Sequence, residues 1–173
     1  MSLTITTRSL ATILIASSLS IAPQLASAQE TPCGALTQPA VQAVIATIGR
    51  SRAQAQLDAD ANGISGKYAV AAVYNLAYLQ DAERQFQDLD AWLVSNGLYT
   101  PFVNNASAAY QIHGVVREVS NLLHYARHWA SISTAYHLSS SARSSITLTG
   151  EALTSMDPLG ASAVACYVSF VGL

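Results

Sequence analysis

KYAVAAVYNLAYLQDAERQFQDLDAWLVSN, residues 67–96, decides the fold class. Ala72, Leu79, Phe86 and Leu93 stand seven residues apart, and Leu76, Ala82 and Leu89 fill the intermediate positions. A helix brings residues three and four apart onto one face, so this spacing makes a continuous apolar seam that needs other helices to cover it. Asn96-Gly97 supplies the stop, because both residues tolerate the positive φ that closes a helix.

Working outward, the same logic finds partners for the seam. Thr37 before Gln38-Pro39 reads as an N-cap with proline in the first turn, and the apolar spacing that follows predicts a helix over 39–58. On the other side Tyr99-Thr100-Pro101 makes a connector, and Asn104 or Asn105 caps a third helix predicted over 105–138. Its apolar face is Ile112, Val115, Val119, Leu122, Leu123, Ala126, Ala130 and Ser133. SSSARSS, residues 139–145, reads as a surface loop or as the first turn of a helix. Beyond it Ile146-Thr147-Leu148-Thr149 alternates like a strand, Glu151 to Met156 suits one or two helical turns, and Pro158 restarts the chain before a short helix ending near Phe170. The predicted fold class is all-α: an antiparallel helical bundle of three long helices plus a C-terminal helix.

The ends of the chain carry the signs of export. Arg8, the apolar run Leu10–Ala22 and Ala26-Ser27-Ala28 form a signal-peptide pattern with cleavage after Ala28, so residues 1–28 are read as removed and 29–173 as one helical domain. The compartment implied is periplasmic or extracellular. The two cysteines, Cys33 and Cys166, are then predicted to be bridged, closing nearly the whole domain. Charged residues are only 10% of the chain, with a formal net charge of −2. That balance excludes nucleic acid as a partner, and no stretch of the mature chain is apolar for long enough to span a membrane.

Four groups of residues invite a chemical reading. DADANGISGKYA, residues 58–69, begins like an EF-hand loop: Asp58, Asp60 and Asn62 stand at oxygen-ligand positions 1, 3 and 5, Gly63 at the turn, and Ile64 offers its carbonyl. It ends otherwise. Gly66 brings no side chain to position 9, and Ala69 replaces the closing carboxylate, so the stretch is read first as a helix–helix corner and second as a weak calcium site. The four histidines, His113, His124, His128 and His137, all fall on the third predicted helix, where the His113, Arg117, His124 and His128 stripe lies opposite the apolar face and reads as solvated. His124 and His128, four apart, are a candidate pair for a transition metal, with no third ligand identified. Tyr125, Trp129 and Tyr136 line another edge of the same helix, at the core margin or as a wall for a ligand or partner helix. Finally, Asp81, Glu83, Asp88 and Asp90 crowd the second helix, where they are read as a solvated face beside those histidines.

Catalytic motifs are missing. No serine sits in a nucleophile elbow, and GISGK lacks the leading glycine and trailing hydroxyl of a phosphate loop, with Ala61 and Tyr68 in those places. The reading is therefore a non-catalytic exported binding or structural protein that contacts another protein or a second copy of itself. The alternatives are a metal-binding helical protein, using calcium at 58–69 or the His124/His128 pair, and a small exported hydrolase.

Overall fold

The computed structural model describes residues 31–62, 68–137 and 139–172; the side chains of residues 62, 136 and 137 are not among the parts described. The export segment 1–28 and the ligand position Ile64 lie outside the described residues. Four helices make up the rest: α1 (Gln38–Asn62), α2 (Ala69–Ser95), α3 (Ala106–His137) and α4 (Ser140–Val171). Each packs against its neighbours in sequence, and α1 against α4 closes the ring. Neighbours run antiparallel: contacts descend along one helix as they climb the next, from Gln42–Asp90 to Arg52–Glu83, from Tyr78–Tyr125 to Gln85–Glu118, and from Tyr110–Tyr167 to Val116–Gly160. Among the described residues the fold is all-helical, and the Cys33–Cys166 disulfide joins the segment before α1 to the end of α4.

The predicted boundaries hold where caps specify them. Thr37 Oγ1 accepts from Ala40 N at 3.4 Å, and Asn105 Oδ1 accepts from Ala108 N at 3.0 Å. At the end of α2, Gly97 takes φ +63° while Leu98 N–H reaches back to the Leu93 carbonyl, closing the helix as the Asn96-Gly97 pair predicts.

The last quarter of the chain differs from expectation. Residues 139–145 are not a surface loop: Ser139 caps α4, accepting from Ala142 N at 3.1 Å. The alternating 146–149 segment is helix and not strand, and α4 continues through Pro158 without restarting. Two physical reasons account for this. Hydroxyls of Thr147, Thr149 and Thr154 bond to carbonyls four residues back, so polar β-branched residues are accommodated inside the helix. Pro158 stands on the exposed face, where water can satisfy the carbonyl its ring leaves without a donor.

Burial follows intervals of three and four along every helix. On α4 the inward positions are Ala142, Ser145, Thr149, Ala152, Met156, Leu159, Ala163 and Cys166, and on α1 they are Val41, Val44, Ile48, Ser51, Ala55 and Asp58. On α2 the buried seam includes Asn75 where Leu76 is expected, and on α3 Val116 is buried where Val115 is expected; Leu76, Val115 and Leu122 pack half-buried at the margin. The bundle thus has two ends of different composition. Toward the disulfide, Val41, Val44, Ile48, Leu79, Phe86, Leu93, Ile112, Leu123 and Met156 form an apolar core. Toward the α1–α2 and α3–α4 junctions the inward positions are Ala, Ser, Thr, Asn and Asp.

Candidate functional site

In that polar end Ser51 Oγ donates to the Ser145 carbonyl at 3.0 Å and lies 2.8 Å from Thr149 Oγ1, while Asn75 Nδ2 donates to Ser145 Oγ at 3.2 Å. Buried hydroxyls and amides need such partners, because a lost hydrogen bond in the interior costs more than one at the surface. Asn75 Oδ1 lacks a partner. Across the bundle, Ser133 Oγ donates to Asp58 Oδ2 at 2.7 Å, with both residues fully buried.

This placement changes the reading of 58–69. Asp58, Asp60 and Asn62 belong to the last turns of α1, so the first three candidate ligand positions have helical and not loop backbone. Successive residues two apart on a helix point to well-separated directions, and here Asp58 turns inward to Ser133 while Asp60 is exposed and accepts from Gln56 Nε2 at 2.7 Å. The two carboxylates do not converge. Among the described residues no group of three His, Cys, Asp or Glu is arranged to hold a metal ion.

His124 and His128 are exposed on α3, as their stripe predicts, but His113 is not. It is half-buried on the α4 side, and its Nδ1 is buried without a hydrogen-bond partner. The acids of α2 also part company. Glu83 pairs with Arg52 of α1, Asp81 with Arg84, and buried Asp90 accepts from Gln42 and from the Tyr99 hydroxyl. Burial, then the hydrogen bond to Asp90 and that residue's charge, holds the Tyr99 hydroxyl well above the ordinary tyrosine range.

The predicted aromatic edge of α3 meets a second one on α2. Tyr74 stacks on Trp129 with ring centroids 4.8 Å apart and planes 25° apart, and Tyr78 stacks on Tyr125 at 5.5 Å and 29°. The two storeys are linked by Tyr74 and Tyr78 at 6.5 Å, and His128 sits edge-on to Trp129 at 5.8 Å. Tyr136 lies on α3 beyond this ladder. Sequence reasoning placed Tyr125 and Trp129 on one edge but missed Tyr74 and Tyr78, although their i, i+4 spacing on the margin of the α2 seam is the matching signal.

The ladder is open to solvent. Tyr74 is 46% and Tyr125 56% exposed, and Val70 and Val73, which share a groove with Tyr74, are each more than half exposed. Val70, Val73 and Tyr74 of α2 line a groove of about 610 Å³ with Gln56, Ala59 and Asp60 of α1, and on the α2–α3 face Trp92, Val115, Gln85, Gln111, Asp88 and Glu118 line one of about 480 Å³. Such a face can supply flat apolar contact area at low side-chain entropy, with tyrosine hydroxyls as hydrogen-bonding tips. No family model matches the sequence, and neither a curated protein nor a solved structure matches it.

Proposed function

We propose that the chain is a non-catalytic exported binding protein that receives an apolar or aromatic segment of a partner protein on the α2–α3 ladder. The observation that carries this reading is the stacked aromatic ladder, with Tyr74 and Tyr125 exposed and Tyr78 and Trp129 half-buried, beside a core built from alanine and serine. A helical bundle gains stability by turning its large side chains inward. Here several of the largest ones at the polar end stand outside, where their apolar area is available to a partner. The disulfide fits an oxidising compartment, and among the described residues no helix is long and apolar enough to cross a membrane.

Photo-crosslinking tests the reading. Tyr125 is replaced by benzoylphenylalanine in the exporting cell, and exposed Thr147 on α4 carries the same group as a control. One adduct of discrete mass at 125, absent at 147 and lost with Tyr74→Ser, is the expected result; an adduct of twice the chain mass identifies the partner as a second copy. Equal labelling at both positions, or none at 125, overturns it.

A further inference from the structure

The groove of about 480 Å³ between α2 and α3 joins an apolar floor to an aromatic ring and two charges. Leu89 is buried and Val115 half-buried along it. Asp88 and Trp92 stand four residues apart on α2, and Val115 and Glu118 three apart on α3, so each helix presents one apolar and one acidic group to the same space. Trp92 is 39% exposed, and Asp88 and Glu118 are both open to solvent.

The charges are unbalanced. Glu83 and Asp81 of α2 have arginine partners and Asp90 accepts from Gln42 and Tyr99, but among the described residues the Asp88 carboxylate has neither an ion pair nor a hydrogen bond. Glu118 accepts from Gln85 at 3.1 Å, a neutral donor that leaves its charge uncompensated. Among the described residues no basic side chain lines the groove; Arg117, next to Glu118 in sequence, points about 100° away around α3.

Two carboxylates on opposite walls attract a cation, and an indole beside them favours one whose charge is planar and delocalised. An ammonium meets such a set as a point charge. A guanidinium stacks on the ring, and its five donors in a fixed fork can serve both carboxylates at once. Its methylene stem suits the apolar floor.

We infer that this groove takes an arginine side chain of a partner protein, with the stem over Leu89 and Val115, the guanidinium on Trp92 and its N–H groups donating to Asp88 and Glu118. Tyr78 of the ladder lies ten residues back along α2, about 15 Å along the axis, so the partner presents its arginine at that distance from its apolar or aromatic segment. The assignment rests on the α2–α3 face receiving a protein, and it adds the charge which that protein carries.

The test compares the α-acetyl amides of arginine and citrulline, which match in shape and differ in charge. The ¹⁵N-labelled exported protein is titrated at low ionic strength and followed by NMR at the Trp92 and Trp129 indoles. Trp92 is expected to shift, with arginine bound about tenfold more tightly than citrulline, the scale of one cation–π contact and one exposed ion pair together. Salt at about 1 M should weaken arginine and spare citrulline. Asp88→Asn combined with Glu118→Gln, two changes at exposed positions, should bring the two affinities together. Equal affinity in the parent protein, an arginine preference that survives the double variant, shifts confined to Trp129, or the lysine amide binding as tightly as the arginine amide overturns the assignment. The readout uses a single amino acid and no partner, so it stands or falls separately from the crosslink at Tyr125.

Discussion

The disulfide end and the junction end of this bundle obey the same spacing rule with opposite materials. Near Cys33–Cys166 the inward positions hold Phe86, Leu93, Ile112 and Met156, and stability there comes from apolar area removed from water and from close packing. Near the α1–α2 and α3–α4 junctions they hold Ser51, Asn75, Ser145, Thr149 and Asp58, which bury little apolar area and must satisfy one another. The difference teaches that three-and-four spacing specifies which residues face inward, while side-chain chemistry specifies how strongly that face is held. It also explains where the aromatics went. At the junction end the inward positions are small, and Tyr74, Tyr78, Tyr125 and Trp129 tie α2 to α3 at the margin of the bundle, with Tyr78 half-buried against the core.

The comparison can be broken most forcefully at the disulfide. A bridge across 133 residues restricts the unfolded chain by about 5 kcal/mol in the chain-entropy model, so Cys33→Ser should lower the urea midpoint to that of the reduced parent. Equal midpoints for oxidised parent and variant would remove the disulfide from any account of this end. Phe86→Ala comes next, at about 3–5 kcal/mol for an emptied aromatic site. A loss under about 1 kcal/mol in chemical unfolding would mean that the apolar end is not the anchor.

At the other end Asp58→Ala should cost about 1.5–3 kcal/mol, because it strips Ser133 of a charged acceptor in the interior. Thermal melts should give the same loss with and without about 10 mM calcium, roughly ten times the weakest Kd of extracellular calcium sites. A calcium-dependent difference would support an ion-binding role for residues 58–64. Asn75→Leu runs in the opposite direction. It removes an unpaired buried oxygen while Ser145 Oγ keeps Ser51 beside it, so stability should rise by about 1 kcal/mol. A fall of that size would show that the amide's bond to Ser145 outweighs its unpaired carbonyl.

The smallest effect is confined to alkaline solution. The folded-state pKa of Tyr99 is raised above the unfolded value of 10.0, so the folded protein holds that proton more tightly. The resulting stabilisation is complete below pH 10 and is lost as pH rises from there through the folded pKa. Tyr99→Phe should therefore flatten the decline of stability above pH 10 relative to the parent, with no change in slope between pH 6 and 9. Parallel pH profiles for the two proteins would sever the Tyr99–Asp90 link.

Periodicity and capping residues alone determined that α1, α2 and α3 form, where α1 and α3 begin and where α2 stops, because large aliphatic side chains and Thr37, Asn105 and Gly97 act locally, whereas α1 runs four residues past its expected end at 58. The pairing of Cys33 with Cys166 followed from there being two cysteines in a chain that reads as exported. The length of α4 was hidden, since its seam of alanine, serine and threonine carries almost no hydrophobic contrast and Pro158 looks like a break until its exposed position is known. Tertiary structure also decided what Asp58, His113 and Tyr74 do. A sequence shows which side of a helix a residue stands on, but only the neighbouring helix determines whether that side meets a hydroxyl, an apolar interhelical cleft or a second ring.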